Sequence, residues 1–477
     1  GDYAAYVLYE DRSDDQQFTA NSIVESTLSD NITLNAAVNY RRLKSHNFAE
    51  IIDMLGSNTG YLNVDSFDLV QFDLQNPNMV VGEGDTFRYN FNIDASILST
   101  FLQTRFKYNK IDFFFAGSYT ATDYQREGLY QTETYADNSL GKGPKISFQG
   151  IGAKTGFTYK FSGKHNLNVN AGYLSKAPSI RNTYTNSREN HAVVGDITGK
   201  NITEEKISSF DASYIFRSSA VKTRLTAYYA NVKDANEISF YFADGISGVD
   251  EGTAFVQEIL QGIDKSHLGI EFGMEAQVTP TIKLTGVASI GQFTYDNNPN
   301  LVLTSSDFIE GLNFGESNLK DYRIAAGPQQ AASIGFEYRD PNYWWFGTTA
   351  NFFADTYVDV SPLTRTENFY LDTDGLPFNN YEPELARELL RQERFDDYMV
   401  VNAIGGKSWK IGNRYLSLFV SLNNILDQKF KSGGFEQGRS ANYQSLTDDA
   451  QNPKRVFGPK YWYGRGPTYF LNLNYRF

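Results

Sequence analysis

The chain has 477 residues, four histidines, no cysteine and a formal net charge of -13. Disulfides and thiolate metal sites are thereby excluded, as suits an exported protein, and the acidity opposes a nucleic-acid footprint, which needs clustered Lys and Arg. Hydrophobic residues make up 41% and mean hydropathy is -0.44, yet aromatics reach 15%, with 32 Tyr and 36 Phe; no run approaches the ~18 to 20 consecutive apolar residues of a membrane helix.

Regular stretches alternate with a period of two, the signature of strands with unlike faces. In chain order, strands are expected near 3–10, 17–28, 32–45, 99–108, 112–125, 147–161, 166–175, 206–216, 221–233, 267–278, 281–294, 328–339, 344–357, 397–409, 414–425 and 466–477, about sixteen in all. Leu167, Val169, Ala171 and Tyr173 alternate with Asn168, Asn170 and Gly172, and Leu225, Ala227 and Tyr229 with Arg224, Thr226 and Tyr228. Ala332, Ile334, Phe336 and Tyr338 alternate with Ser333, Gly335, Glu337 and Arg339, and the last strand sets Tyr469, Leu471, Leu473, Tyr475 and Phe477 against Asn472, Asn474 and Arg476. Charges such as Arg224 and Glu337 on the second face need water or polar partners, because burying an unpaired charge costs several kcal/mol or more.

Links between these strands are alternately short and long. The short ones carry turn chemistry: Ser29-Asp30-Asn31, Ser162 to His165, Arg217 to Ala220, Thr279-Pro280-Thr281, Asp340-Pro341-Asn342 and Ile411-Gly412-Asn413. The long ones are expected over 46–98, 129–145, 177–205, 234–266, 295–327, 358–395 and 426–465. That alternation matches tight periplasmic turns and large extracellular loops, and the aromatic excess supplies two interfacial girdles. The fold class is therefore all-β, an antiparallel up-and-down transmembrane β-barrel, with residues 1–477 as one barrel domain. One helical stretch, Pro383 to Glu393, places Leu385, Leu389 and Leu390 on one side inside a long loop. Strand-like sequence begins at Tyr3, and the chain is read as a mature or cut-down part of something longer.

The run Val420 to Phe430 (VSLNNILDQKF), the pair Gly464-Arg465 before the closing strand, the segment Gly172 to Ile180 (GYLSKAPSI) and Asn201 to Lys206 (NITEEK) together resemble the barrel of a TonB-dependent outer-membrane receptor. Lys454 to Arg465 (KRVFGPKYWYGR) resembles the Oar-like branch of that family, whose members begin with a carboxypeptidase-regulatory-like domain and a plug. The resemblance covers nearly the whole chain and implies a barrel of 22 strands around a plugged lumen, of which this would be the C-terminal portion. It further implies a Gram-negative outer membrane with its lipid as surroundings, ligand binding from outside, and energy from the TonB system through the plug. Protein partners on the long loops are also open. The departure from the pattern is that no plug and no TonB-contacting segment precede Tyr3.

No enzyme motif emerges. His46, His165, His191 and His267 lack metal-ligand spacing, no phosphate loop or nucleophile elbow is present, and no cofactor is expected. Asp372-Thr373-Asp374-Gly375 has its Gly too early for a calcium loop and reads as a polar turn. Trp344-Trp345-Phe346 and Tyr461-Trp462-Tyr463 read as interfacial anchors at opposite ends of the strands. Ligand selection by a receptor would fall to loop tips. Arg181, Asn182, Tyr184, Asn186 and Arg188, followed by Glu189 and Asn190, combine guanidinium, amide and ring chemistry suited to a polar solute, with Tyr241 and Asp244 as a second group. A passive porin, a structural subunit of an outer-membrane assembly and a soluble all-β binding protein stay open as alternatives; the last requires the apolar faces to pack against each other.

Overall fold

The computed structural model describes residues 3–66 and 69–477. Its centre is one eighteen-stranded sheet. Fifteen of these strands follow one another as an antiparallel meander: β1 (Leu8–Ser29), β2 (Ile32–Asp53), β3 (Thr86–Lys107), β4 (Ile111–Gly128), β5 (Ile146–Lys160), β6 (His165–Lys176), β7 (Glu205–Arg217), β8 (Val221–Asp244), β9 (Thr253–Gln277), β10 (Ile282–Tyr295), β11 (Gln330–Arg339), β12 (Trp344–Ala354), β13 (Tyr398–Ile411), β14 (Arg414–Asn423) and β15 (Thr468–Arg476). The other three, Gly141–Lys142, Asn300–Ser305 and Phe308–Glu316, are short pieces in the long loops.

The strands expected at 3–10 and 17–28 are one continuous strand of 22 residues. The polar run Glu10 to Gln17 reads as a break in the sequence, but it lies where the strand has left the apolar band, and there both faces tolerate charge. Arg12 pairs across to Glu50 on β2 at 2.8 Å. The expected loop at 234–266 shrinks likewise: β8 and β9 stay paired from Ala235/Ile263 up to Asp244/Thr253, leaving a tight connection at 245–252. The helical stretch shortens to α2 (Pro383–Leu389), and the loops contain two helices the pattern did not signal, α1 (Val194–Thr198) and α3 (Tyr443–Gln451).

Register puts like faces side by side. On β14 and β15, Leu416, Leu418, Val420 and Leu422 oppose Tyr475, Leu473, Leu471 and Tyr469; on β8 and β9, Leu225 and Ala227 oppose Phe272 and Ile270. This side is uncovered: Leu473 is 64% exposed, Ile334 73% and Leu268 55%. A soluble sandwich would bury these groups against a second sheet, so that alternative falls, whereas acyl chains would cover them. The band has visible limits. Outward rings Phe106, Phe113, Trp344 and Tyr475 lie beside the short turns, and Tyr40 and Tyr119 lie further up; on β2, Tyr40 pairs with Leu98, and the next outward pairs are Arg42 with Ser96 and Lys44 with Asp94. The opposite face carries Asn168, Asn170, Ser213, Thr226, Glu271, Ser333 and Asn351, a polar wall. The long strands, up to 25 residues in β9, exceed the ~9 to 11 residues needed to cross a bilayer, so their upper halves are scaffold for the loops.

Among the described residues β1 pairs only with β2, and β15 only with β14. Both run from the long-loop end to the short-turn end, so a direct union between them would be parallel. An antiparallel ring through these edges needs an odd number of additional strands.

Candidate ligand-recognition surface

Among the described residues the two largest of four apolar cores organise the loops. In the first, Ala49, Ile51, Phe87, Tyr89, Phe91, Tyr124 and Phe148, near the upper ends of β2 to β5, are covered by Val81 from one loop and by Tyr184 and Val193 from the loop at 177–204. In the second, Val256, Leu260 and Ile263 of β9 meet Leu301 and Leu303 of the short hairpin, Val360 and Leu363 of the loop at 355–397, and Ala441 of the loop at 424–467.

The loop at 177–204 holds its sequence-predicted residues in two environments. Ser179 accepts from the Asn182 amide, opening a single 3-10 turn that exposes Arg181. Tyr184 is 3% exposed and Asn186 is 8% exposed, both inside the loop; burial pushes the Tyr184 hydroxyl up to about 12. Arg188 is exposed, donates to Asp11 Oδ2 at 3.1 Å and lies 4.5 Å over the Tyr89 ring. Tyr89 donates to the other Asp11 oxygen at 2.8 Å. Arg181, Asn182 and Arg188 thus keep solvent access, while Tyr184 and Asn186 shape the loop.

Tyr241 and Asp244 lie on β8, not in a loop, because β8 continues as a paired strand. The Tyr241 hydroxyl donates to Glu258 Oε2 at 2.6 Å, and Asp244 accepts from Arg439 Nε at 2.8 Å. Both are engaged in holding the second core, and the two predicted groups belong to separate loop clusters.

Sequence reading missed the residues that fix the loops. Arg126 at the top of β4 is 1% exposed; it donates to the carbonyls of Ser187 at 2.6 Å and Ser139 at 2.9 Å, meets His191 Nδ1 at 3.0 Å and covers the Phe91 ring. Burial pulls its guanidinium down to about 10, against the opposing pull of Tyr184 and Glu189 nearby. Arg365, 4% exposed, forms a bidentate pair with Glu436 and donates to Leu390 O at 2.8 Å, tying the loop at 355–397 to that at 424–467. Asn368 donates to the carbonyls of Gly245 and Ala441 and accepts from the Ser247 amide, joining three loops. Glu258 is 3% exposed, and burial with Glu237 and Asp359 nearby pushes its carboxyl up to about 7. None has a local motif, since each acts on partners distant in sequence.

Below the loops, the wall holds a recess of about 470 Å³ in which Arg224, Thr226, Glu271, Ser289, Ser333 and Asn351 share the lining with Phe272, Val287 and Phe353, so that its surface is mostly apolar with polar groups set into it. A larger hollow of about 910 Å³ lies mainly on the outward face of β3 to β6, where Gly117, Ala153 and Ala171 leave a dip between Phe115 and Tyr173. Its lining is predominantly apolar and suits the lipid side of the wall.

Residues 2–425 match the family described as TonB dependent receptor-like, beta-barrel. The chain belongs to this family. Its fold is similar to the ferric citrate transporter FecA in its unliganded form (10% identity, TM-score 0.59, covering 98% of this chain and 55% of that one). It is also similar to the copper transporter OprC (11%, 0.58, 98% and 57%) and to the siderophore receptor PiuA from Acinetobacter baumannii (10%, 0.58, 97% and 56%). At such identities the likeness concerns the fold alone, and the chain spans a little over half the length of these structures. No curated protein matches it in sequence.

Proposed function

We propose that this chain is the wall and recognition rim of an active transporter of the Gram-negative outer membrane, driven by the TonB system through a plug and performing no bond chemistry itself. The observation that carries this reading is the division of the sheet: an uncovered apolar band on one face, a polar wall on the other, and elaborate loops packed at one end only. In it, Arg181, Asn182 and Arg188 contact a polar ligand, while Tyr184, Asn186, Tyr241 and Asp244 hold the surfaces that present them. The recess around Arg224 and Glu271 belongs to the conduit below.

Parallel edges support the reading that these residues are the C-terminal portion of the barrel, since seven further strands are odd in number and would complete the 22 implied by the resemblance. They count against a porin built from these residues alone, because an open edge in lipid leaves backbone groups unpaired. The Oar-like assignment rests on Lys454 to Arg465, where Lys460–Tyr463 pairs with Lys431–Phe435 as a small sheet in the last long loop. Uptake of candidate polar chelates by cells carrying the full gene tests the function: loss on deleting TonB is expected, and solute entry indifferent to TonB would refute it.

A further inference from the structure

Beside α2 the loops enclose an open groove of about 630 Å³, a size within the ~300 to 1,000 Å³ of small-ligand clefts. Tyr322, Tyr370 and Tyr381 supply its rings, and Lys320, Arg387 and Arg391 its cations. The rings are fixed from behind. The Tyr322 hydroxyl donates to Leu390 O at 2.9 Å, the buried Arg365 guanidinium lies 5.1 Å from its ring, and Tyr381 packs on the buried Tyr443 at 4.9 Å. Tyr370 meets Tyr381 edge-on, at 66° and 5.3 Å, and stays 41% exposed. Lys320 stands on a β-turn that the Tyr322 amide closes onto Leu319 O; Leu319 is fully buried, and Asn298 accepts from the Lys320 amide at 3.0 Å. Asp321 in that turn takes a φ of 71°, a left-handed value sustained by these anchors on either side.

In a protein of net charge -13, this lining carries three cations against one carboxylate, Asp321. Glu384 holds Arg387 at 2.8 and 2.9 Å, whereas Lys320 and Arg391 are exposed and, among the described residues, make no ion pair. Gln392 is spent internally, on the Arg323 backbone and the Val358 carbonyl. A bare oxyanion would use the free cations and leave the rings idle, and a neutral saccharide would do the reverse. A sugar acid uses both: its C–H faces stack on tyrosine, its hydroxyls meet the phenol edges, and its carboxylate fits the Arg391 fork. We infer that this groove is a binding site for an acidic saccharide. It shares no residue with the group around Arg181 and Arg188, and it rests on the transporter reading only for having its loops outside the cell.

The test is calorimetric titration of the full-length protein in neutral detergent with digalacturonate and with galactobiose, its uncharged counterpart. Digalacturonate should bind about tenfold more tightly, the margin of a charge-assisted contact. A Lys320→Gln/Arg391→Gln variant should lose that preference, while a Lys200→Gln/Lys233→Gln control of equal charge keeps it. Tyr370→Ala should weaken both sugars about fivefold through lost stacking, and Tyr370→Phe should restore most of it. Folding is checked by the gel shift on heating; if the double variant fails it, Lys320→Gln and Arg391→Gln singly must each weaken digalacturonate about threefold. Equal affinity of the parent for the two sugars, binding of neither, or an unchanged preference in the folded variants overturns the inference. Uptake with and without TonB tests the transporter reading separately, so either idea can fail alone.

Discussion

Glu258 gives the second loop core a definite pH response. It is 3% exposed, accepts from Tyr241, and shares its surroundings with Val256, Leu260 and Leu303 as well as Glu237 and Asp359. Its carboxyl rises from 4.5 to about 7, so the native state retains a proton that the unfolded chain has released. Stability is therefore fully present below pH 4.5, declines as pH rises, and has lost this contribution above about 7. The difference between 4.5 and about 7 corresponds to about 3 kcal/mol, or roughly 300-fold in opening equilibrium. Glu258→Gln keeps an acceptor for Tyr241 but removes the charge. Hydrogen exchange over 253–264 and 358–366, corrected for intrinsic rates, should show protection in the native protein falling by that order between pH 4.5 and 8. In the variant most of the fall should disappear, the remainder lying below pH 6, where Asp359, pushed up to about 6 by burial and Glu237, titrates. Equal pH dependence in parent and variant would refute the reasoning.

Arg365→Ala strands Glu436 without its partner and should cost about 3 to 5 kcal/mol locally, read as faster exchange in 363–370 and 436–443 with strand amides unchanged. Arg126→Met leaves the carbonyls of Ser139 and Ser187 without their donor; trypsin should then cut the loop after Arg181 and Arg188 while the strands resist. Arg188→Ala breaks an exposed pair worth less than about 1 kcal/mol, so exchange in the strands should stay as it was while half-maximal uptake shifts to higher ligand concentration. Ile334→Arg on the uncovered face should destabilise by about 2 to 4 kcal/mol in lipid, whereas Ser333→Arg beside it should be nearly neutral, as measured by urea unfolding in vesicles.

Legibility in the sequence followed the range of the interactions. Alternation at Ala332 to Arg339 or at Tyr469 to Phe477 is set by which side meets lipid, a constraint every second residue must satisfy locally, so faces and turns were readable. The polar run between 10 and 17 does not break the strand, because that constraint ends above the band: Arg12 answers to Glu50, 38 residues away. The loop cores were opaque for the same reason. Arg365 finds Glu436 across 71 residues, and nothing near Arg365 distinguishes it from a solvated arginine. Arg126 falls just past the strand expected at 112–125 with no motif around it, and only the returning loop at 187–191 makes it a buried donor. Tyr241 and Asp244 were singled out for their chemistry, but pairing with β9 puts them to structural use.

The same contrast in range separates the tasks of the two ends. Near the short turns, side chains answer to the bilayer or to a neighbour one strand away, as Lys222 does to Glu275, so substitutions there should act on the wall locally and add independently. Above the band, Asn368 reaches three loops and Arg365 binds two, so ligand contact by Arg181 or Arg188 depends on packing elsewhere. Changes at the loop roots should therefore alter recognition without touching the ligand, and pairs such as Arg365→Ala with Asn368→Ala should combine non-additively, by more than about 0.5 kcal/mol, while Lys222→Gln with Ile334→Ala should not. Additive behaviour in both pairs would mean that the loops are separate flaps and not one interlocked rim.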